Sequence, residues 1–161
     1  MIITFFGHSN YREIPGHRQR ILEYIESISK DSQIDFYLGG YGNFDSFALS
    51  CAKKYKTAHP DAKIFFITPY VTPSYEKTHL KYCAAEYDGI IFPPLESTHP
   101  KYAISHRNKW MIEQADALIA FVNRQNGGAF TAFRRARRLG KRYFNLATGE
   151  INEKSPQISA K

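Results

Sequence analysis

Short apolar runs alternate with amphipathic stretches along most of this chain. Residues 2–6 (IITFF) have the length and continuous apolarity of a strand buried on both faces, and their β-branched start favours that state. Residues 34–38, 62–68, 87–92, 115–122 and 142–146 repeat the pattern. Between these runs the apolar positions recur at helical spacing. Residues 15–30 place Ile21, Leu22, Ile25 and Ile28 on one face, with Pro15 in the first turn. A longer stripe of Phe44, Phe47, Ala48, Cys51, Ala52 and Tyr55 follows Asn43, a residue suited to capping a helix. Residues 101–114 and 129–139 predict two more helices, and 76–82 a short one. From Thr148 the chain is polar and lacks periodicity. That predicts one domain over 1–147 and a loose tail over 148–161.

Strands alternating with helices predict an α/β fold, a three-layer sandwich in which right-handed crossovers cover a mainly parallel sheet on both faces. Ligands of such sheets sit beyond the carboxyl ends of the strands. The segments expected there are 7–10 (GHSN), 39–43 (GGYGN), 69–70, 93–94 and 124–128 (RQNGG).

Two of these are glycine turns leading from a strand into a helix: Gly39, Gly40 and Gly42 in one, Asn126, Gly127 and Gly128 in the other. Such a turn presents bare backbone N–H groups at the positive end of the helix dipole, which suits a phosphate. A purely structural need for glycine is the alternative. Neither turn is a dinucleotide fingerprint, because Asp45 stands where a third glycine belongs, and neither is a P-loop, because the Lys-Ser/Thr pair is missing.

Arg107 and Asn108 fall within the helical stripe of Ile104, Met111 and Ala115. A guanidinium buried there needs a partner. Either it meets a carboxylate, such as Asp45 or Glu96, or it reaches into the crevice for an anion. Gly7, His8 and Ser9 follow the first strand. His8 either serves a ligand as donor, acid or base, or bonds local backbone. Ser9 and Thr131 either bond a phosphate or support their own turns. Asp45 either complements the helix dipole or holds a ribose hydroxyl. Tyr41, Phe44 and Tyr70 offer faces for a base. His17, His59, His79, His99 and His106 have no metal-ligand spacing and read as surface residues. Trp110 reads as an outward aromatic that serves an interface or covers a core edge.

The 161 residues carry a net charge of +7, with a pI of about 9.4, which favours acidic partners: a nucleotide, nucleic acid or an anionic surface. A hydrophobic share of 43% excludes a disordered chain. The basic run Arg134, Arg135, Arg137, Arg138, Lys141 and Arg142 forms the outer arc of the last helix, opposite Ala129, Ala132, Phe133 and Ala136. It is either a solvated face or a nucleic-acid contact. Cys51 and Cys83 lack CxxC spacing and point to a reducing compartment. No apolar run is long enough to span a bilayer, and the chain opens on a strand rather than a signal peptide. A cytoplasmic protein with no membrane partner, metal or cofactor is the expectation.

GHSN after the first strand, YLGGYGNFD after the second and AISHRNKWMIEQADALIAFVNRQNGGAFTA together resemble the SLOG superfamily. That group joins lonely-guy-type phosphoribohydrolases with the DNA-processing protein DprA, and the likeness is to its small YpsA-like branch. It runs from Ile2 to about Ala147. It implies a Rossmann-like domain that binds a nucleotide or nucleotide-derived ligand, self-associates, and is akin to modules sensing nucleotide signals in antiphage defence. The lonely-guy motif PGGxGTxxE is matched at Gly127, Gly128 and Thr131, with Arg107 as its upstream arginine. Its proline falls on Asn126, its third glycine on Phe130 and its catalytic glutamate on Arg134. A guanidinium in place of that carboxylate reverses the charge that an oxocarbenium-like transition state needs. The resemblance therefore implies binding, sensing or sequestering of an ADP-ribose-like or cyclic nucleotide. Hydrolysis of the N-glycosidic bond of a nucleoside 5′-monophosphate and single-stranded DNA binding are the alternatives.

Overall fold

The computed structural model describes residues 1–30 and 32–154. The strands are β1 (Ile2–Gly7), β2 (Asp35–Leu38), β3 (Lys63–Ile67), β4 (Gly89–Ile91), β5 (Ala117–Phe121), β6 (Arg142–Asn145) and β7 (Glu150–Asn152). They form one sheet in the order β4-β3-β2-β1-β5-β6-β7, parallel throughout except for antiparallel β7. This is the α/β sandwich expected from the alternating pattern.

Helices α1 (His17–Ser29) and α2 (Asn43–Ala58) cover one face. Ile21, Ile25, Phe44, Phe47 and Cys51 pack there on Ile3, Phe5 and Phe36. Helices α5 (Ala103–Gln114) and α6 (Gly127–Arg138) cover the other, with Met111, Ile112, Phe133 and Ala136 against Phe6, Leu118 and Ala120. Between β3 and β4 the chain runs through a helical stretch of α3 (Pro73–Tyr75), a π-helical turn (Glu76–Leu80) and α4 (Lys81–Glu86). A 3-10 turn (Pro100–Tyr102) leads into α5. From β1 the connections step outward to β4, then return to β5 and step the other way. The strand order therefore reverses between β1 and β5, and the crevice beyond their carboxyl ends is where such sheets take ligands.

Several expectations need correction. The tail is not loose from its start: Gly149, at φ +77°, turns the chain so that β7 pairs with β6, and Tyr143 donates to Glu150 at 2.6 Å. A short polar edge strand needs no apolar period, so none announced it. Residues 155–161 of the expected tail lie outside the described residues. Helix α1 begins at His17 after Gly16 in a left-handed conformation, leaving Pro15 ahead of the first turn. Asn43 does not cap α2; its side-chain amide donates to the Tyr11 carbonyl. His17 is buried rather than on the surface, its ring hydrogen-bonded to the Tyr11 hydroxyl at 2.8 Å. Ile104 is exposed, and Ala103, Arg107, Met111 and Ile112 form the buried stripe of α5. Trp110 covers a core edge, stacked on Tyr37. Among the described residues, no helix is long and apolar enough to cross a membrane.

Candidate functional site

The loops after β1 and β2 are knitted together. The Ser9 carbonyl accepts from the Asn43 amide at 3.0 Å, and a Cβ on Gly42 would lie 2.8 Å from the Ser9 Cα. The His8 amide donates to the Phe121 carbonyl at the end of β5. Its side chain is buried, and Nε2 has no hydrogen-bond partner among the described residues. Burial first, and the charge of Arg124 second, hold the imidazole below its ordinary pKa, so it is neutral at pH 7.

Arg107 reaches from α5 to the ends of β2 and β3. It is 2% exposed, and Nη1 donates to the carbonyls of Gly39 at 2.8 Å and Ile67 at 3.0 Å. Its Nε has no partner among the described residues. The guanidinium carbon lies 5.4 Å from the centre of the Tyr41 ring. Of the partners expected for it, Asp45 is the nearby charge favouring its cationic form, against the burial that opposes it. No ion pair joins the two among the described residues. Gly39 is glycine because Arg107 fills its side-chain space: a Cβ would lie 2.4 Å from Nη1. Gly7 and Gly40 make similar room for Phe44 and Phe66. Phe44 is fully buried and offers no face to a ligand. Tyr70, half-buried at the end of β3, meets Tyr75 edge-on.

Asp45 accepts the Tyr41 amide on Oδ2 at 2.7 Å. Burial pushes its carboxyl up to about 6, although the Tyr41 N–H and the Arg107 charge pull the other way. The folded carboxyl thus holds its proton more tightly than the unfolded one, whose ordinary value is 3.8. Its stabilising contribution is complete below about pH 4 and lost as the pH rises through about 6. Asp45→Asn should flatten that fall and raise stability at pH 7 by about 1–2 kcal/mol. Urea unfolding across that range checks this; parallel curves for the two proteins would refute it.

The second glycine turn is different in kind. Gly127 takes φ +84° to open α6, but Gly128 has no positive φ, and a Cβ on either would meet nothing within 4 Å. Asn126 makes no side-chain cap, so it leaves the first amides of α6 uncapped. Thr131 donates back to the Gly127 carbonyl at 3.2 Å.

The expected site residues do not share one hollow. Asn108, Gly128 and Thr131 line a cavity of about 280 Å³ between α5 and α6, with Ser105, Lys109 and Arg135. Gly40 and Asp45 line another of about 230 Å³ beside α4. Gly7, His8, Ser9, Gly39, Gly42 and Arg107 interlock at the strand ends, while Asn126 and Gly127 form the exposed turn into α6. Ser105 and Lys109 were missed; with Asn108 and Ile112 they follow helical spacing, the signal that could have found them. Arg134 lies over Phe130 beside a cleft of about 440 Å³ that also takes in Arg124, Phe133 and Arg137. Among the described residues, no group of three or more His, Cys, Asp or Glu is placed to hold a metal ion.

No protein-family model and no curated protein matches the chain. Solved structures do. DNA processing protein A (DprA) from Streptococcus pneumoniae superposes with a TM-score of 0.60 at 15% identity, over 89% of this chain and 49% of that one. A structure describing the single-stranded DNA binding mode of DNA processing protein A from Helicobacter pylori gives a TM-score of 0.55 at 17% identity, over 90% of this chain and 64% of that one. TM1055, a structural genomics target, gives 0.51 at 14% identity, over 89% of this chain and 72% of that one. This chain thus spans half to two thirds of the length of the DNA processing proteins it resembles, and shares their Rossmann-like fold.

Proposed function

We propose that the chain is a SLOG-type domain of the YpsA-like branch and binds the phosphate of a nucleotide or nucleotide-derived signal at the start of α6. One observation carries this reading: Gly128 has neither a backbone conformation nor a packed neighbour that calls for glycine, and it stands among uncapped helix amides. Open amides at a helix N-terminus favour an anion. Thr131 and Asn108 add hydrogen-bonding groups, and Lys109 a positive charge, around the same cavity. The reading is one of binding, because none of the residues lining that cavity is a carboxylate and Arg134 occupies the glutamate position of the hydrolase motif. An ADP-ribose-like or cyclic nucleotide, sensed or sequestered by a homo-oligomer in the cytoplasm, is its specific form.

Gly128→Asp tests it. An aspartate in the first turn complements the dipole and should raise stability by about 0.5–1 kcal/mol. Placed where the phosphate would sit, it should weaken nucleotide binding at least tenfold. Calorimetric titration with a panel of mononucleotides, ADP-ribose and cyclic nucleotides reads both proteins. No binding by the parent protein, or equal binding by the variant, would dismiss the site.

The cleft of Arg124, Arg134 and Arg137 beside Phe130 and Phe133 favours a second reading, binding of single-stranded DNA, as described for the Helicobacter pylori protein. Arginines tracking phosphates next to aromatic faces suit a single strand. Titrating an oligothymidylate at rising salt separates the two readings: affinity for a strand should fall steeply, roughly with the number of phosphates contacted.

A further inference from the structure

The cavity beside α4 has a character of its own in this basic protein. No lysine or arginine lines it, while Asp45 and Glu86 do. Asp45 is 9% exposed. One of its oxygens holds the Tyr41 amide and the other, Oδ1, has no hydrogen-bond partner among the described residues. That oxygen is not sealed off from solvent, so it can accept from a donor brought into the cavity.

His79 also lines the cavity. Its Nε2 is buried and has no partner among the described residues. The ring is clasped by Phe66 at 5.5 Å and Tyr75 at 4.8 Å between centroids. It belongs to the π-helical turn Glu76–Leu80. Such turns widen a helix locally and recur at functional sites. Tyr82, Tyr87 and Leu49 supply apolar surface between the polar ends. A volume of about 230 Å³ lies below the usual range for a whole nucleotide-sized ligand but holds one bicyclic ring.

We infer that this cavity is a base-binding site, which takes an amino-substituted purine with its N–H groups directed at Asp45 and its far edge toward His79. The chemistry disfavours a phosphate there: the Asp45 carboxylate repels it, Glu86 is already paired with Lys53, and no lysine or arginine lines the cavity. It disfavours a base that offers mainly carbonyl acceptors to the carboxylate, because the Asp45 oxygen would stay unpaired. The inference goes beyond the phosphate reading at α6 and stands without it.

Nucleosides, which carry no phosphate, are the probes. Guanosine, adenosine and uridine are titrated into the full chain and into Asp45→Asn by ligand-observed NMR and calorimetry. Asp45→Asn keeps the acceptor for the Tyr41 amide, so the fold is retained; circular dichroism and the unfolding midpoint verify this. Guanosine and adenosine should bind the parent protein at least tenfold more tightly than uridine, and the variant should lose at least tenfold for the purines. Chemical shift changes on guanosine addition should centre on His79 and Tyr87. Failure of the parent to bind either purine nucleoside, or equal affinity in parent and variant, overturns the inference. Neither result touches the α6 reading, which Gly128→Asp tests separately with phosphate-bearing ligands.

Discussion

Arg107→Leu should lower stability by about 3–4 kcal/mol. Leucine replaces much of the aliphatic stem but none of the donors. The carbonyls of Gly39 and Ile67, at the ends of two neighbouring strands, would both lose their Nη1 partner in a site that water barely reaches. Asp45 would also lose the cation that helps to hold its proton affinity down. The Gly39 turn, shaped around Nη1, would face an unfilled gap. Arg107→Lys should fall in between: it restores a charge, but its ammonium sits one bond short of the Nη1 position that serves both carbonyls. Urea unfolding of the three proteins reads the order directly. A leucine variant as stable as the parent would mean that these carbonyls find other donors, and that Arg107 does not tie α5 to the strand ends.

That same residue shows how far the sequence could be read. The stripe on α5 placed a guanidinium inside the protein and demanded a partner for it, and the burial is as expected. The partners expected were a carboxylate or a bound anion; those found are main-chain carbonyls, which carry no sequence identity and so leave no trace in a pattern. A mainly parallel sheet covered on both faces followed from alternation, because a βαβ crossover leaves few choices; the order of its strands did not. The edge strand β7 did not, because a polar hairpin arm satisfies its amides without an apolar period. Glycines were the most ambiguous letters. Gly39 and Gly128 look alike in sequence, yet one is surrounded by protein and the other by nothing. Only distances separate a glycine that makes room for a side chain from one that nothing crowds. The division of the strand-end region into two cavities of opposite lining was hidden for the same reason: only a short helix over 76–82 was legible where α3, the π-helical turn and α4 run, and their packing beside Asp45 is a tertiary fact.

Gly7 gives the clearest steric test. It closes β1, opposite Phe121 of β5, with ordinary negative-φ backbone, so alanine brings no backbone strain. The space is the difficulty: a Cβ would lie 2.2 Å from Cγ and 2.3 Å from Cδ1 of Phe44. That ring cannot swing aside, since Tyr11 meets it edge-on at 5.1 Å, Phe47 and Phe121 flank it, and the residue is fully buried. Either α2 moves off the sheet or the ring leaves its rotamer, and Gly7→Ala should therefore lower stability by about 3 kcal/mol. Trimming the obstacle should recover part of the loss. In a double-mutant cycle, Gly7→Ala with Phe44→Leu should be less destabilising than the sum of the two single changes by at least about 1 kcal/mol. Additive effects, or a Gly7→Ala protein within about 0.5 kcal/mol of the parent, would show that the first strand and the helix after the second can part without consequence. The joined loops of His8–Ser9 and Gly42–Asn43 would then lose their claim to be a fixed wall at the strand ends.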